Sequence, residues 1–423
     1  MAENTEFAGG DSIPMALLES LRYAKKNSPY YRVVFNSQNF DAEAMSFEDW
    51  SNLPFTTKND LSFRNSDFLS IPIADVADYV TTSGTTGEPV TIYLSRSDIQ
   101  RLAYNERDSM ELAGVQKGDI LQLMTTIDRQ FMAGMAYYLG AQELEAGIIR
   151  LGPGAVELQW ASILKNNPTY LIAVPSFLLT MIAYAKKEGI PLESTSVKGV
   201  ICIGEAIRFP DLSLNLLGQK IMKEWPLQLY STYASTEMAT AFTECSAQQG
   251  GHLNERLLFL EVFKENGIRA QDGEEGEIVI TPLHVTGTPL IRYRTGDVAK
   301  IFYGKCSCGR TSPRLGPVMG RKNQMIKYKG TTLFPQSIYD VLDELQEVTM
   351  FKVMVSKDDL SNDVVRILLD EVLNSSDFIQ KLRDKCQAKL RVIPEVEFVE
   401  FEYLRSQIYK KNARKPEKIS FIS

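Results

Sequence analysis

One run constrains this chain more than any other, Thr82-Ser83-Gly84-Thr85-Thr86-Gly87-Glu88-Pro89. Its two glycines let the backbone turn tightly and present N–H groups, and its hydroxyls add further donors. It follows the short strand pattern Asp78-Tyr79-Val80 and leads into a second, Pro89-Val90-Thr91-Ile92-Tyr93. The sequence therefore predicts a hairpin whose tip can wrap a polyphosphate without much positive charge. Taken alone, a Ser/Thr/Gly cluster reads as a flexible polar turn; the flanking strand patterns favour phosphate.

Elsewhere, branched runs such as Ile201-Cys202-Ile203 and Ile278-Val279-Ile280 alternate with helix-period segments over 156–165 and 176–187, which predicts an α/β fold. With 423 residues, 44% of them apolar, the chain can bury one large core and a smaller one. The Gly- and Lys-crowded stretch 316–330 sets the expected boundary between a large domain, 1–322, and a small α+β domain, 323–423. The small domain is predicted to hold helices over 335–344 and 376–390 and strands over 348–355, 364–369 and 395–401. The formal net charge of −7 speaks against bulk nucleic-acid binding, which needs a basic surface. Residues 1–14 are polar and acidic, unlike a secretory signal, so a cytoplasmic location is expected. The apolar stretch 170–184 is interrupted by Pro175 and falls short of the roughly 20 residues of a membrane span, so it reads as a buried strand and a core helix.

A second cluster, Tyr230-Ser231-Thr232-Tyr233-Ala234-Ser235-Thr236-Glu237, brings together a ring that can stack on a base, a hydroxyl that can meet a phosphate, and a carboxylate that can hold magnesium. A third, Pro289-Leu290-Ile291-Arg292-Tyr293-Arg294-Thr295-Gly296-Asp297, ends on a carboxylate suited to two neighbouring ribose hydroxyls; in isolation Asp297 serves as well as a turn residue. In this order and spacing the clusters resemble the adenylate-forming superfamily of acyl-CoA synthetases, and within it the phenylacetate-CoA ligase family. Ser28-Pro29-Tyr30-Tyr31-Arg32, Leu53-Pro54-Phe55-Thr56-Thr57-Lys58-Asn59-Asp60-Leu61, Cys306-Ser307-Cys308-Gly309-Arg310-Thr311, Gly320-Arg321, Met325-Ile326-Lys327 and Phe334-Pro335 extend the resemblance over almost the whole chain.

The resemblance implies a large multi-sheet N-terminal domain that holds ATP and acid, a hinge at Asn323, and a small mobile C-terminal cap. It implies that Ser83, Gly84, Thr85, Thr86 and Gly87 hold the β and γ phosphates and that Gly204, Glu205 and Ala206 line the adenine. Tyr233, followed by Ala234 and Ser235, would stack on the base, Thr236 would touch the α-phosphate, and Glu237 would bind Mg2+. Asp297 would hold the ribose, with Arg321 near the ribose and hinge. Phe131, Met135, Tyr137 and Tyr138 would form an apolar slot for an aromatic or medium-sized acid, although a plain core helix accounts for them equally. The catalytic lysine, which steadies charge as the adenylate forms, falls on Lys415 within Arg414-Lys415-Pro416-Glu417-Lys418-Ile419, with Lys411 as runner-up and a solvated basic tail as the bland account. The implied reaction makes an acyl-adenylate from ATP and hands the acyl group to coenzyme A. Alternatives are transfer to a carrier-protein phosphopantetheine, or a nucleotide-binding protein that has lost catalysis. No nucleic acid or membrane partner is expected, and relatives often form homodimers through the large domain. The chain departs from the family pattern at Glu88, where relatives usually carry lysine, at Asn323 in place of aspartate, and in lacking a glycine before Lys415.

The five cysteines are odd in number and lack an export signal, which indicates reduced thiols. Cys202 and Cys386 read as ordinary buried thiols. Cys245 and His252, with six residues between them, and the later Cys306-Ser307-Cys308 make a closed set of three thiolates and one imidazole, suited to a structural Zn2+. The plainer account treats the thiols as small buried hydrophobes and His252 as a surface residue.

Overall fold

Four helices open the described part of the chain, and side-chain caps hold the two shortest. The computed structural model describes residues 13–38, 46–82, 90–358, 363–409 and 417–422. The calls on Ser83, Gly84, Thr85, Thr86, Gly87, Glu88, Lys411 and Lys415 lie outside the described residues. Helices α1 (Met15–Asn27), α2 (Pro29–Gln38), α3 (Phe47–Asn52) and α4 (Lys58–Phe63) come first. Ser46 with Asp49 and Thr57 with Asp60 form reciprocal capping boxes at α3 and α4, satisfying N–H groups that a six-residue helix cannot pair internally. Strands β1 (Asp78–Thr81) and β2 (Thr91–Leu94) pair antiparallel, Thr81 opposite Thr91, so the expected hairpin around the glycine-rich loop is present.

Helix α5 (Arg96–Leu112), itself started by a Ser95–Asp98 capping box, leads into the βα series. Its members are β3 (Ile120–Leu123), α6 (Met132–Glu143), β4 (Gly147–Arg150), α7 (Val156–Asn166), β5 (Tyr170–Ala173), α8 (Pro175–Glu188), β6 (Gly199–Cys202), α9 (Leu216–Glu224) and β7 (Gln228–Ser235). These strands run parallel in the order β4-β3-β5-β6-β7. Alternate residues feed two cores. Leu171, Ala173, Val200 and Leu229 pack with Trp160, Leu178 and Ile221 of α7–α9, whereas Leu121, Ile172, Ile201 and Tyr230 pack with Met110 and Tyr137 of α5 and α6. A doubly wound sheet opens its ligand crevice beyond the carboxyl ends of its strands, where the winding reverses, here between β3 and β5.

The sheet continues through mostly antiparallel strands β8 (Thr240–Glu244), β9 (Gly251–His252), β10 (Leu258–Phe263), β11 (Glu275–Pro282), β12 (Tyr293–Phe302) and β13 (Arg314–Leu315), in the order β10-β11-β12-β13-β9-β8-β7. Two compact units result, one of Met1–Thr295 with Ala299–Val318, the other of Gly296–Val298 with Met319–Ser423. The second unit contains β14 (Gly320–Arg321), the hairpin β15 (Ile326–Tyr328) and β16 (Thr331–Leu333), α10 (Pro335–Asp343), β17 (Phe351–Lys357), β18 (Asp363–Asp370), α11 (Ser376–Leu390), β19 (Glu395–Val399), α12 (Phe401–Ile408) and β20 (Ile419–Phe421). Its main sheet runs β19-β18-β17-β20 over a core of Ile326, Ile338, Val353, Ile367 and Leu382. The strand expected from residue 348 starts at Phe351, because the Val348 N–H closes a turn on the Leu345 carbonyl. Phe401 opens α12 instead of ending β19. The 170–184 pattern resolves into β5 and α8, and among the described residues no helix is long and apolar enough to cross a membrane.

A buried ion pair ties the segment after β6 to β8. Arg208 Nε donates to Glu244 Oε1 at 2.7 Å, the two side chains being 5% and 1% exposed, and Glu244 Oε2 accepts from the Ser231 N–H at 2.9 Å. Removing one partner strands the other charge, which costs about 3–5 kcal/mol. Arg208→Met should therefore lose about that much in urea titrations, and Arg208→Met/Glu244→Gln markedly less; equal losses would contradict the pairing.

Candidate active site and metal centre

Gly204 to Ala206 and Thr236 with Glu237 follow the carboxyl ends of the parallel strands β6 and β7. After β6, Gly204 adopts φ +76°, a left-handed turn that glycine tolerates without strain. The Glu205 carboxylate accepts from the Ser176 N–H and Oγ at 2.8 and 2.9 Å. It thus caps α8, where unpaired N–H groups favour an anion. The Ala206 carbonyl accepts from Asn215 Nδ2 at 2.8 Å.

Strand β7 delivers the second cluster. Tyr233 stacks on Phe242 of β8, centroids 6.0 Å apart at 24°, which fixes its ring plane; Ala234 and Ser235 pair with Ala241 and Thr240. Thr236 and Glu237 occupy the turn from β7 to β8. That turn is bound internally by the Met238 N–H on Ser235 Oγ at 3.2 Å and the Ala239 N–H on the Ser235 carbonyl at 3.2 Å, and Ala239 sits at φ +48°. Arg101 of α5, unflagged by the sequence reading, clamps it. Its buried guanidinium donates to the carbonyls of Ala239 and Leu257, to the Leu283 carbonyl at 2.8 Å and to Thr240 Oγ1 at 3.0 Å. Burial pulls its pKa down to about 10, so it stays charged at neutral pH.

The two specific motifs flanking this site prove to be one packed cluster. Tyr31 Oη and Thr56 Oγ1 lie 2.9 Å apart, Thr56 Oγ1 donates to the Ile291 carbonyl at 2.7 Å, and the Ile291 N–H donates to Tyr31 Oη at 2.7 Å. The Phe55 ring lies 4.3 Å from the Arg292 guanidinium and 4.2 Å from that of Arg294. The buried Tyr293 hydroxyl then reaches Glu237 Oε1 at 3.4 Å. The four residues read as an acid slot do not share one environment. Phe131 and Met135 are 38% and 39% exposed, and Tyr138 lies under the Arg150 guanidinium, 5.2 Å from its centroid. Tyr137 is buried instead, because 100° per residue turns it from that face toward α5.

In the second unit, Asp297 and Arg321 are cross-strand partners of β12 and β14 and form an ion pair at 3.6 Å. Asn323 is exposed in a one-turn 3-10 helix, Lys322–Gln324. The described residue after the Lys415 segment is anchored: the Glu417 N–H donates to the Ile408 carbonyl at 2.8 Å, and buried Lys352 donates to the Glu417 carbonyl at 2.7 Å.

Cys245, His252, Cys306 and Cys308 come together, their ligand atoms within 4.8 Å of one another. A tetrahedral ion with Zn–S of about 2.3 Å and Zn–N of about 2.0 Å sets edges of about 3.8 Å between sulfurs and about 3.5 Å between sulfur and nitrogen. The observed Cys245–Cys306 and Cys308–His252 Nε2 separations are 3.7 and 3.6 Å. His252 Nδ1 meets Ser312 Oγ at 3.0 Å, an outer partner of the kind that orients a metal-bound imidazole. Burial holds the His252 pKa down to about 4 and the Cys245 thiol up at about 12. At Cys308 burial pushes up, but hydrogen bonds from Arg310 and its neighbouring thiols outweigh it and bring the thiol to about 7. Residue types, separations and outer partner all fit a closed zinc site.

The family model described as AMP-binding enzyme matches residues 27–287. The chain belongs to the AMP-binding enzyme family. Its kinship with the phenylacetate-CoA ligases, read from the motifs, also holds. The phenylacetate-coenzyme A ligase of Thermus thermophilus is 26% identical over 87% of this chain and 86% of its own length, and that of Escherichia coli is 26% identical over 78% and 75%. Among solved structures, a 2-hydroxyisobutyryl-CoA ligase in complex with 2-HIB-AMP superposes with a TM-score of 0.78 at 20% identity, over 100% of this chain and 93% of that one. The match to the AMP-binding enzyme model takes in Gly204 and the Tyr233–Glu237 cluster but ends before Asp297. In this AMP-binding enzyme, Arg101→Met leaves three carbonyls and a hydroxyl without their donor, and each buried unpaired group costs about 1–3 kcal/mol. Denaturant titration should show a loss of about 3 kcal/mol or more; a smaller loss would mean that the turn does not depend on this clamp.

Proposed function

We propose that the chain is an AMP-forming carboxylic acid:CoA ligase acting on an aromatic or medium-sized acid. The acid carboxylate attacks the α-phosphorus of ATP, giving acyl-adenylate and pyrophosphate; the sulfur of coenzyme A then attacks the acyl carbon and AMP leaves. One observation carries the reading: Thr236 and Glu237 sit on a turn clamped by Arg101 and Tyr293 at the carboxyl end of a parallel sheet, where a phosphate and its metal belong. Glu237 fits Mg2+, which takes one or two carboxylates and completes its shell with water and phosphate oxygens. When bound, that ion neutralises charge building on the phosphates. Tyr233 stacks on the base, the backbone of Gly204 and Glu205 lines it, Asp297 and Arg321 serve the ribose, and Ser83 to Gly87 hold the terminal phosphates. Phe131, Met135 and Tyr138 contact the acid, Asn323 is the pivot, and Lys415 steadies the transition-state charge.

ATP–pyrophosphate exchange screened over aromatic and aliphatic acids tests this directly. Exchange should appear with at least one acid and fall by about 10²–10³ in Lys415→Ala, the loss typical of removing one preorganised charge-stabilising group. Undiminished exchange would move the role to Lys411, and exchange with no acid would defeat the adenylation reading.

The four-residue cluster holds a structural Zn2+, the three thiolates and the imidazole filling its shell and leaving no position for water. Cys245 follows β8 at the end of the β7–β8 hairpin away from Glu237. Extending the register places it opposite Tyr230, three residues or about 10 Å from Tyr233. Metal analysis should find one zinc per chain, and Cys306→Ser/Cys308→Ser should lose it with a lower Tm. Zinc-free, fully stable wild-type protein would remove the assignment.

A further inference from the structure

Helix α5 carries polar residues on its buried side, and Asp98, Arg101 and Asn105 find partners that explain them. Asp98 accepts from the Thr286 and Gly287 N–H groups at 2.8 Å each, Arg101 clamps the β7–β8 turn, and Asn105 Oδ1 accepts from the Ala241 N–H at 3.2 Å. Glu106 is the exception. It is 5% exposed; Oε1 accepts from Asn105 Nδ2 at 3.0 Å, while Oε2 is fully buried and has no hydrogen-bond partner among the described residues. Such groups are rare because they are costly, and they call for an explanation.

Its position supplies one. Asn105 ties this carboxyl to Ala241, which pairs with Ala234, the neighbour of Tyr233, so the carboxyl lies beside the strands that the Thr236–Glu237 turn joins. On the other side is α6, where Gly140 has no room for a Cβ against Glu106. Tyr137, one turn earlier on α6, is close enough that burial and then the Glu106 charge push its phenol well above its ordinary range. Through Asn105 and the Ala241–Ala234 pair this carboxyl is tied to the hairpin that carries Thr236, so an acid whose carboxylate meets the α-phosphate there and which extends along β7 has this wall beside it. Burial raises the Glu106 pKa to about 8, so near pH 7 it is mostly the neutral acid. With Oε1 already accepting from Asn105, the proton belongs on Oε2, where it can be donated.

Resting on the adenylation reading above, we propose that Glu106, with Tyr137 beside it, determines specificity by pairing Oε2 with an oxygen-bearing substituent, a hydroxyl above all, remote from the carboxylate of the acid. A pocket built to hydrogen-bond a hydroxyl rejects the analogue lacking it far more strongly than an apolar pocket rejects an added hydroxyl, because the unfilled buried group is left unpaired.

The test compares kcat/KM for ATP–pyrophosphate exchange within matched pairs: benzoate and 4-hydroxybenzoate, phenylacetate and 4-hydroxyphenylacetate, butanoate and 3-hydroxybutanoate. In the best pair the wild type should favour the hydroxylated acid by about 10-fold or more. Glu106→Leu should bring that ratio to about one, and isosteric Glu106→Gln, which preserves volume if leucine does not fold, should shift it at least about threefold. A mere packing role would change kcat for both members alike and leave the ratio intact. Exchange with some acids but no hydroxyl preference, or a preference that survives both substitutions, overturns this proposal alone. Absence of exchange with every acid overturns the adenylation reading and this one with it.

Discussion

The β7–β8 turn rests on a buried cation. Arg101 leaves α5 and gathers the carbonyls of Ala239, Leu257 and Leu283, three segments far apart in sequence that meet behind the β7–β8 turn. Hydrogen bonds to a charged donor are worth more than neutral ones, and within a low-dielectric interior the geometry they impose is stiff. Ala239 holds a left-handed conformation that a non-glycine residue avoids when free. The clamp helps explain why it is held, and the held turn gives Thr236 and Glu237 a defined place to stand.

From that turn the hairpin extends to an end with different chemistry. At one end is the Glu237 carboxylate, reached by the Tyr293 hydroxyl; at the other, beyond Glu244, Cys245 joins His252, Cys306 and Cys308 in a set suited to a soft ion. The Arg208–Glu244 pair lies at the inner end of β8, next to the thiol cluster. Glu244, buried beside Cys245, is answered by a guanidinium and by the Ser231 N–H, so it adds little uncompensated negative charge beside the thiols.

The short motifs that mark the family are less independent than their separation suggests. Pro54 to Asp60 and Leu290 to Asp297 lie more than two hundred residues apart, yet Tyr31, Thr56 and Ile291 form a closed hydrogen-bond triangle and Phe55 faces both Arg292 and Arg294. The outcome is the placement of Tyr293, whose hydroxyl touches Glu237. Residues that look like a signature act here as a brace for the site.

Periodicity and turn chemistry by themselves determined much of this protein: the α/β class, the hairpin at the glycine-rich loop, most helices and strands of the second unit, and the Cys/His set, because these depend on neighbours a few residues away or on rare residue types. The polar side of α5 was not legible in this way. Asp98, Arg101, Asn105 and Glu106 recur at helical spacing and all are buried, since the groups that answer most of them come from residues 239–287. Tyr137 likewise looked like one of four equivalent apolar residues until the helix phase turned it inward. Only tertiary structure could decide these cases, because the cost of burying a polar group depends on whether a distant segment brings it a partner, and sequence spacing carries no record of that meeting.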